Sequence, residues 1–525
     1  MPDLGGDERQ LLPLHELQGD GRRRSSKLEL PDDVWINIMR YLKPLDIVAL
    51  RQTSRRLKGP SLNRAVWMHA LRVVVADNGV HPLTFPIDKM STADLESAAS
   101  CPQKLTRILL RFGQSFLAPV PHPEPVHRRA FYIKQEGDKP VVRSIRLLPG
   151  GRYLVVERLE TVLIMDLGWR TEAVIRRSPI YILHKKTIGA GPTRVCTLEH
   201  LVWDQGNGNL RLFFVLNGDS FVANSGGPEV IVHEVSDILC HPQGSVIARL
   251  DIRSASGVEV GNLTAQQDCL AVAVGDLTVV WDYKNHSMAS FAGLSSPMAL
   301  IHGTLVGSGS EYETLEVYSL PTLSPSLAID PTPASLAPKP QLQFSHFNVA
   351  IVSPSLALHL PHDCYEHATC FLDNDLCLIE VRSDTGQLTR YVVEKVSPKL
   401  SSARAAVFKI AEFNIGEHSI QRRYRMKYLR DLRVCDDGIV TGVMKIGAGE
   451  AGKSSAIYVH IASKGGDDAP YEDRFEATKR LLGAEDCGWR EWDTFDFCPI
   501  SGRLCTIVGS YVSVFDYVPC LNRTE

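Results

Sequence analysis

The six residues from Thr278 to Tyr283 read TVVWDY. Their β-branched residues give way to an aromatic, an aspartate and a second aromatic, the pattern of a short strand with a fixed polar ending. The design recurs along the chain. VLIMDL (162–167), LEVYSL (315–320) and VSVFDY (512–517) follow it closely, and VIVHEV (230–235), LCLIEV (376–381) and AIYVHI (456–461) more loosely. Upstream of several copies lies another apolar run led by glycine or aspartate: GGRYLVVE, QDCLAVAVG, HGTLVGSG and SGRLCTIVG. With the aspartate position as a marker, the copies fall at 166, 234, 282, 319, 380, 460 and 516.

These steps scatter around the ~40–50 residues of a propeller blade carrying loop insertions. Seven marks predict seven blades, with the marker closing the third strand of each. The strand-ending aspartate resembles the WD-repeat pattern, mostly without its tryptophan. Trp281-Asp282 keeps both letters at the marker, whereas Trp203-Asp204 leads into a turn-rich QGNGN loop. The fold class is therefore mainly β with a small α module, and residues 129–521 are expected to form a β-propeller. A pair of β-sandwiches is the competing architecture, and it accounts less well for so frequent a recurrence. The segment RAFYIK (129–134) is expected to complete the last blade and close the ring, which removes an exposed edge.

Ahead of the β part the character differs. Residues 1–26 are polar, end in GRRRSS, and are expected to be a disordered tail. Arg22 to Arg24 read there as a solvated basic patch. Order is expected from LELPDDVWINIMRYLKPLDIVALRQTSRRLKGPSLNRAVWMHAL. Pro31 suits a first helical turn, and Asp32 and Asp33 complement the positive end of a helix dipole. Val34, Trp35, Ile38, Met39 and Leu42 recur at helical spacing. Pro44 restarts the pattern, and Ser54 is placed to cap a further turn. Such a cluster, about 45 residues long, is near the lower limit for an independent core and needs a neighbour to cover it.

In register from Leu30 to Trp67, without a gap, the stretch resembles an F-box. The matching positions are Leu30, Pro31, Ile38, Leu42, Pro44, Asp46, Leu50, Ser54, Arg55, Arg56 and Trp67. Thr53 stands where the family usually has valine, and Leu57 where tryptophan is frequent. The resemblance implies a module, residues 27–71, that docks onto the Skp adaptor of cullin-based SCF ubiquitin ligases. Leu30, Pro31, Val34, Ile38, Leu42, Pro44, Leu50, Ser54 and Trp67 are the residues expected to serve that contact. The alternative is that these helices simply cap the following domain.

Residues 72–117 read as a helical connection. Ser91 is placed to cap TADLESAA, and Ser100 with Pro102 to start a second helix carrying Leu105, Ile108, Leu109, Phe112 and Phe116 on one face. Residues 118–128, with four alternating prolines, read as a stiff spacer between two bodies.

Composition narrows the function. A hydrophobic fraction of 44% and a charged fraction of 22% are ordinary for a soluble globular chain, and a net charge of −3 argues against a general nucleic-acid or anionic-membrane binder. No run reaches the ~18–20 apolar residues of a membrane span, and MPDLGGDERQ lacks the layout of a secretory signal. Twelve scattered cysteines fit reduced thiols in the cytoplasm or nucleus. The one crowded spot, HDCYEHATC with His362, Cys364, His367 and Cys370, has no zinc-ligand spacing, so no metal and no cofactor are expected.

KIGAGEAGKSSAIYV (445–459) spells the phosphate-loop pattern, with Gly447, Gly452, Lys453 and Ser454 at its fixed places. A working loop needs a helix after it, whose N-terminus faces the phosphates. Here the following residues alternate as a strand instead, and Gly447–Ser454 reads as the hairpin tip between two strands of the sixth blade. Nearby, QRRYRMKYLRDLR (421–433) alternates Arg423, Arg425 and Lys427 with Tyr424, Met426 and Tyr428. A charged strand edge accounts for the pattern; the sharper reading is a contact for a phosphorylated target peptide. No nucleophile, base and orienter occur together, so no intrinsic catalysis is expected. The chain is expected to receive a target protein on its propeller while the F-box holds the Skp adaptor and, through it, a cullin. A nucleotide-binding protein using Gly447–Ser454, and a propeller scaffold acting outside ubiquitylation, are the rival readings.

Overall fold

The computed structural model describes residues 30–111 except 79, then 124–133, 142–169 and, with short breaks, 175–325 and 494–518; between 326 and 493 it describes the backbone of the strands alone. The tail 1–26 lies outside the described residues.

Five helices come first: α1 (Asp32–Met39), α2 (Pro44–Thr53), α3 (Arg55–Ser61), α4 (Arg64–Asp77) and α5 (Thr92–Arg111). Local chemistry sets their starts. Pro44 opens α2, the Ser54 hydroxyl accepts from the Arg56 N–H at 3.2 Å, and Asn63 Oδ1 accepts from the Ala65 N–H at 2.8 Å. At α5 a reciprocal cap forms: Asp94 accepts from the Ser91 N–H at 2.9 Å and the Ser91 hydroxyl accepts from the Asp94 N–H at 3.2 Å. The second start expected at Ser100 and Pro102 does not occur. The Ser100 hydroxyl instead donates back to the Glu96 carbonyl at 2.7 Å, and α5 runs through Pro102. Burial of Leu95, Ala99 and Leu105 on either side holds it as one helix.

The rest of the described chain forms seven sheets, each built on a four-stranded antiparallel meander. Blade 1 comprises Val142–Leu147, Tyr153–Arg158, Thr161–Asp166 and Tyr181–His184, and blade 6 comprises Lys427–Cys435, Ile439–Ile446, Ala456–Ser463 and Glu476–Leu481. First strands of successive blades adjoin, so each blade runs from the centre outward. Blade 7 takes three strands from the C-terminal end, Thr494–Cys498, Arg503–Val508 and Tyr511–Asp516, and its fourth, His127–Tyr132, from ahead of blade 1. The RAFYIK segment therefore closes the ring, and the expected propeller stands.

Six of the seven markers lie in third strands; Glu380 does not. LCLIEV falls in Leu376–Ser383, the second strand of blade 5. Second strands are sandwiched like third ones, so alternation alone does not separate the two. The long step before it comes from an insertion in blade 4, between Thr314–Ser319 and Leu356–His359. Within that insertion Ser324–Pro325 and Val349–Ala350 pair with blade 3 and Gln341–Gln343 pairs with blade 2.

The marker acid has a physical role. In blade 1 Arg152 grips Asp166 with Nε and Nη2 at 3.0 and 2.9 Å; in blade 2 Arg211 Nε reaches Glu234 at 3.2 Å; in blade 7 Arg503 Nε donates to Asp516 at 2.7 Å. Each arginine sits where the second strand begins, across from the end of the third. In blade 7 the pair also makes the closure. Asp516 accepts from Arg129 of the fourth strand at 2.8 Å, while Arg503 Nη1 donates to the Gly151 and Gly168 carbonyls of blade 1 at 2.7 and 2.8 Å.

The helices pack on the propeller face that carries the turns between first and second strands. One continuous apolar core holds Trp67, Leu71, Val74 and Leu95 together with Ile145, Leu154 and Met165 of blade 1 and Cys505, Val512 and Val514 of blade 7. His81 stacks on Trp203 of blade 2 at 4.4 Å between ring centroids. The module thus seats directly on the blades; of the expected spacer 118–128, residues 118–123 lie outside the described residues, and His127 and Arg128 belong to the closing strand. Because strands alternate in direction, the turns between second and third strands and the blade-to-blade connections emerge on the opposite face. The strand ends at Asn414, Lys427, Ile446 and Ala456 belong to that face, which is bare of the helices α1 to α5 among the described residues.

Replacing Asp516 with alanine leaves Arg503 and Arg129 buried without their carboxylate, and a cost of ~3–5 kcal/mol is expected. Urea unfolding of the full chain measures it, and a change under ~1 kcal/mol would show that the closure does not depend on this charge.

Candidate functional site

Helix α1 has two apolar faces. Trp35 and Leu42 pack against the core and Met39 lies wholly within it. On the other side stand Leu30 (38% exposed), Pro31, the half-buried Val34, Ile38 (38% exposed) and, one turn past the helix end, Tyr41 (90% exposed). Positions 31, 34, 38 and 41 follow helical spacing, so these side chains share one stripe. The start of the stripe is tied down by Arg56 Nη2, which donates to the Leu30 carbonyl at 2.9 Å. Charge is unevenly spread around it. Asp32 and Asp33 lie at the N-terminal end beside Arg56, and exposed Arg40 and Lys43 lie at the other.

The base beneath the stripe is rigid. Trp67 is fully buried, its Nε1 donating to the Ser61 carbonyl at 2.7 Å. Arg51 lies 5.7 Å from the centre of that ring and grips Glu96 of α5 through Nη1 and Nη2 at 3.1 and 2.8 Å. The Leu45 N–H donates to Gln103 Oε1 at 2.9 Å, and Arg64 donates to the carbonyls of Ile87 and Met90. A large apolar stripe held on so well-anchored a support suits recognition of another folded surface.

Residues 28–59 match the F-box domain family. This first part of the helical module is an F-box. No curated protein matches the sequence. Among solved structures, the chain is similar to the WD40 domain of SCAP from fission yeast, at 8% identity over 72% of this chain and 85% of that one, with a TM-score of 0.35. Hsv2 of Kluyveromyces lactis gives 11% identity, 70% and 90% coverage and a TM-score of 0.38, and the N-terminal domain of Nup159 gives 7%, 77%, 99% and 0.32. Likenesses this slight bring no ligand or partner to this chain; the propeller rests on its own strand pairing.

The nine residues expected to bind a partner through the F-box separate into two groups. Leu30, Pro31, Val34 and Ile38 face outward. Leu42 and Leu50 pack against the core, Pro44 and Trp67 are buried, and Ser54 caps α3. Pro44 and Trp67 therefore hold the F-box together and have no surface with which to touch a partner. Tyr41 belongs to the outward group and was missed, although its spacing from Val34 and Ile38 signalled it.

Arg423 and Arg425 lie outside the described residues, and Lys427 opens the first strand of blade 6, in register with Lys445. Gly447–Ser454 also lies outside them, but its flanks are described. Ile439–Ile446 and Ala456–Ser463 pair as adjacent antiparallel strands, with Ile446 opposite Ala456. A strand, Ala456–Ser463, is the first element described after the glycine motif, as the alternation predicts, and among the described residues no helix terminus stands there for a nucleotide phosphate. His362 of the Cys/His-rich segment lies outside the described residues too, and among the described residues no group of three metal-ligating side chains assembles. Burial pushes the thiols of Cys196 and Cys269 up to about 12, so both stay protonated. Lys185 and Glu157, both buried, pair at 2.7 Å inside the blade 1–2 junction, where they also bond the Cys196 carbonyl and the Leu198 N–H. Among the described residues no helix is long and apolar enough to cross a membrane.

The two groups of F-box residues are expected to behave differently. Trp67→Ala should cost ~3–5 kcal/mol, whereas Ile38→Ala, half in water already, should cost under ~1.5 kcal/mol. Chemical unfolding of the two variants compares them directly, and equal losses would contradict the assignment of faces.

Proposed function

We propose that the chain is a substrate-recognition adaptor of an SCF-type ubiquitin ligase, acting in the cytoplasm or nucleus. The F-box binds the Skp adaptor and through it a cullin, and the propeller holds a target protein. The observation that carries this reading is the outward stripe of Leu30, Pro31, Val34, Ile38 and Tyr41, which stands clear of the apolar core that the module shares with the blades. Transfer chemistry belongs to other subunits in this reading; the chain supplies contact and orientation. The target is proposed to lie on the bare face, opposite the F-box. The strand that Lys427 opens begins on that face, which favours the basic segment with Arg423, Arg425 and Lys427 as a contact for a phosphorylated or acidic target peptide.

Truncating anchors at the centre of an interface removes ~2 kcal/mol or more each, and each 1.4 kcal/mol is about tenfold in affinity. The double variant Leu30→Ala, Pro31→Ala and the single variant Ile38→Arg should each weaken capture of the purified Skp adaptor by about 100-fold in titration calorimetry, with folding intact. Undiminished affinity in both would dismiss the docking assignment.

A further inference from the structure

We propose that the helical module, through α5 and the segment that follows α4, clamps the closing seam of the propeller, so that the docking helix and the bare face form one mechanical body. The seam is noncovalent: His127–Tyr132 from ahead of blade 1 pairs with Tyr511–Asp516 from the far end of the chain. Its polar latch reaches blade 1 at the Gly151 carbonyl, through Arg503. The residues beside that latch are the ones the module touches. Gly150 has φ +91°, and a Cβ there would stand 2.6 Å from Thr84 Cγ2 and 2.9 Å from Val80 Cγ1, so the turn lies flush under the segment that follows α4. Arg152 forks between two bodies. Its Nε and Nη2 hold Asp166 of blade 1, and its Nη1 donates to the Leu83 and Thr84 carbonyls of the module at 3.2 and 3.3 Å.

On the other side of the seam Leu105 of α5 lies over Gly502, the residue before Arg503; a Cβ at Gly502 would be 3.6 Å from Leu105 Cδ1. Phe131 and Ile133 of the closing segment, with Val512 and Val514 opposite, share their apolar core with Trp67, Leu71, Val74, Leu95 and Ala99 of the helices. Parting the seam strips apolar contact from the module, and lifting the module uncovers the seam. The two openings are therefore one event.

Hydrogen exchange of the full chain tests this. Val80→Asp and Leu105→Ala alter only module side chains, both fully or almost fully buried. Each should speed amide exchange in His127–Tyr132 and Tyr511–Asp516 by at least about tenfold. Cys269–Val274 and Leu277–Asp282 of blade 3, which carry no module contact in this core, should keep their rates. Loosened helices over an unchanged seam would overturn the proposal. Equal acceleration in blade 3 would overturn it as well, by making the module a general stabiliser of the ring. If Val80→Asp does not fold, Leu105→Ala alone decides between these outcomes.

Discussion

One carboxylate, Asp516, carries the closure of the ring. It has no exposure to water and accepts from two guanidinium groups, Arg503 of its own sheet and Arg129 of the strand that arrives from the other end of the blades. A single buried charge of this kind is a liability, because desolvation costs several kcal/mol per ion. Here every charge has a partner, and Arg503 Nη1 donates to two carbonyls of blade 1. The arrangement favours one register. A slip by one residue would turn Asp516 to the other face of the strand and strand both arginines. Apolar packing alone, along strands rich in valine and leucine, discriminates registers less sharply.

The same logic repeats with weaker means around the ring. Arg152 with Asp166, and Arg211 with Glu234, tie the start of a second strand to the end of a third. Arg211 also reaches Asp204 and, in the next blade, Asp268 and Tyr283. An intrablade pair has thus become a bond between blades. This suits a propeller whose blades have lost most of the tryptophans that the WD-repeat pattern supplies. With the helices seated on blades 7, 1 and 2, anything held on the opposite face keeps a constant relation to α1. In the proposed role as an adaptor, that constancy would keep a target at a fixed offset from the F-box.

How much of this was legible in the sequence follows from which residues act locally. The strand endings at Asp166, Asp282 and Asp516 were readable because alternation and a polar stop are properties of six consecutive residues. GGRYL and SGRLC, leading second strands, were visible too, but their arginines gain meaning only opposite the acid of the next strand. Glu380 misled because its strand has the alternation of a third strand and the place of a second. Pro102 misled because proline reads as a helix boundary, whereas Leu95, Ala99 and Leu105 bury enough surface to carry α5 through it. The seat of the module on the turn at Gly150 and on Trp203 left no local trace; contacts between residues so far apart in the chain seldom do.

The F-box match and the glycine motif show from opposite sides what a sequence pattern records. Much of what makes the F-box stretch recognisable, Pro44, Ser54 and Trp67 included, serves to fold the helices; the outward stripe that ends at Tyr41 is the smaller part. Such a pattern survives because a surface must be supported before it can bind. KIGAGEAGKS carries the letters of a phosphate loop without that support, since the chain beyond it enters the third strand of a blade where a helix terminus is required. A motif is therefore as informative as the secondary structure on either side of it, and in this chain the flanking strands decide against the more familiar spelling.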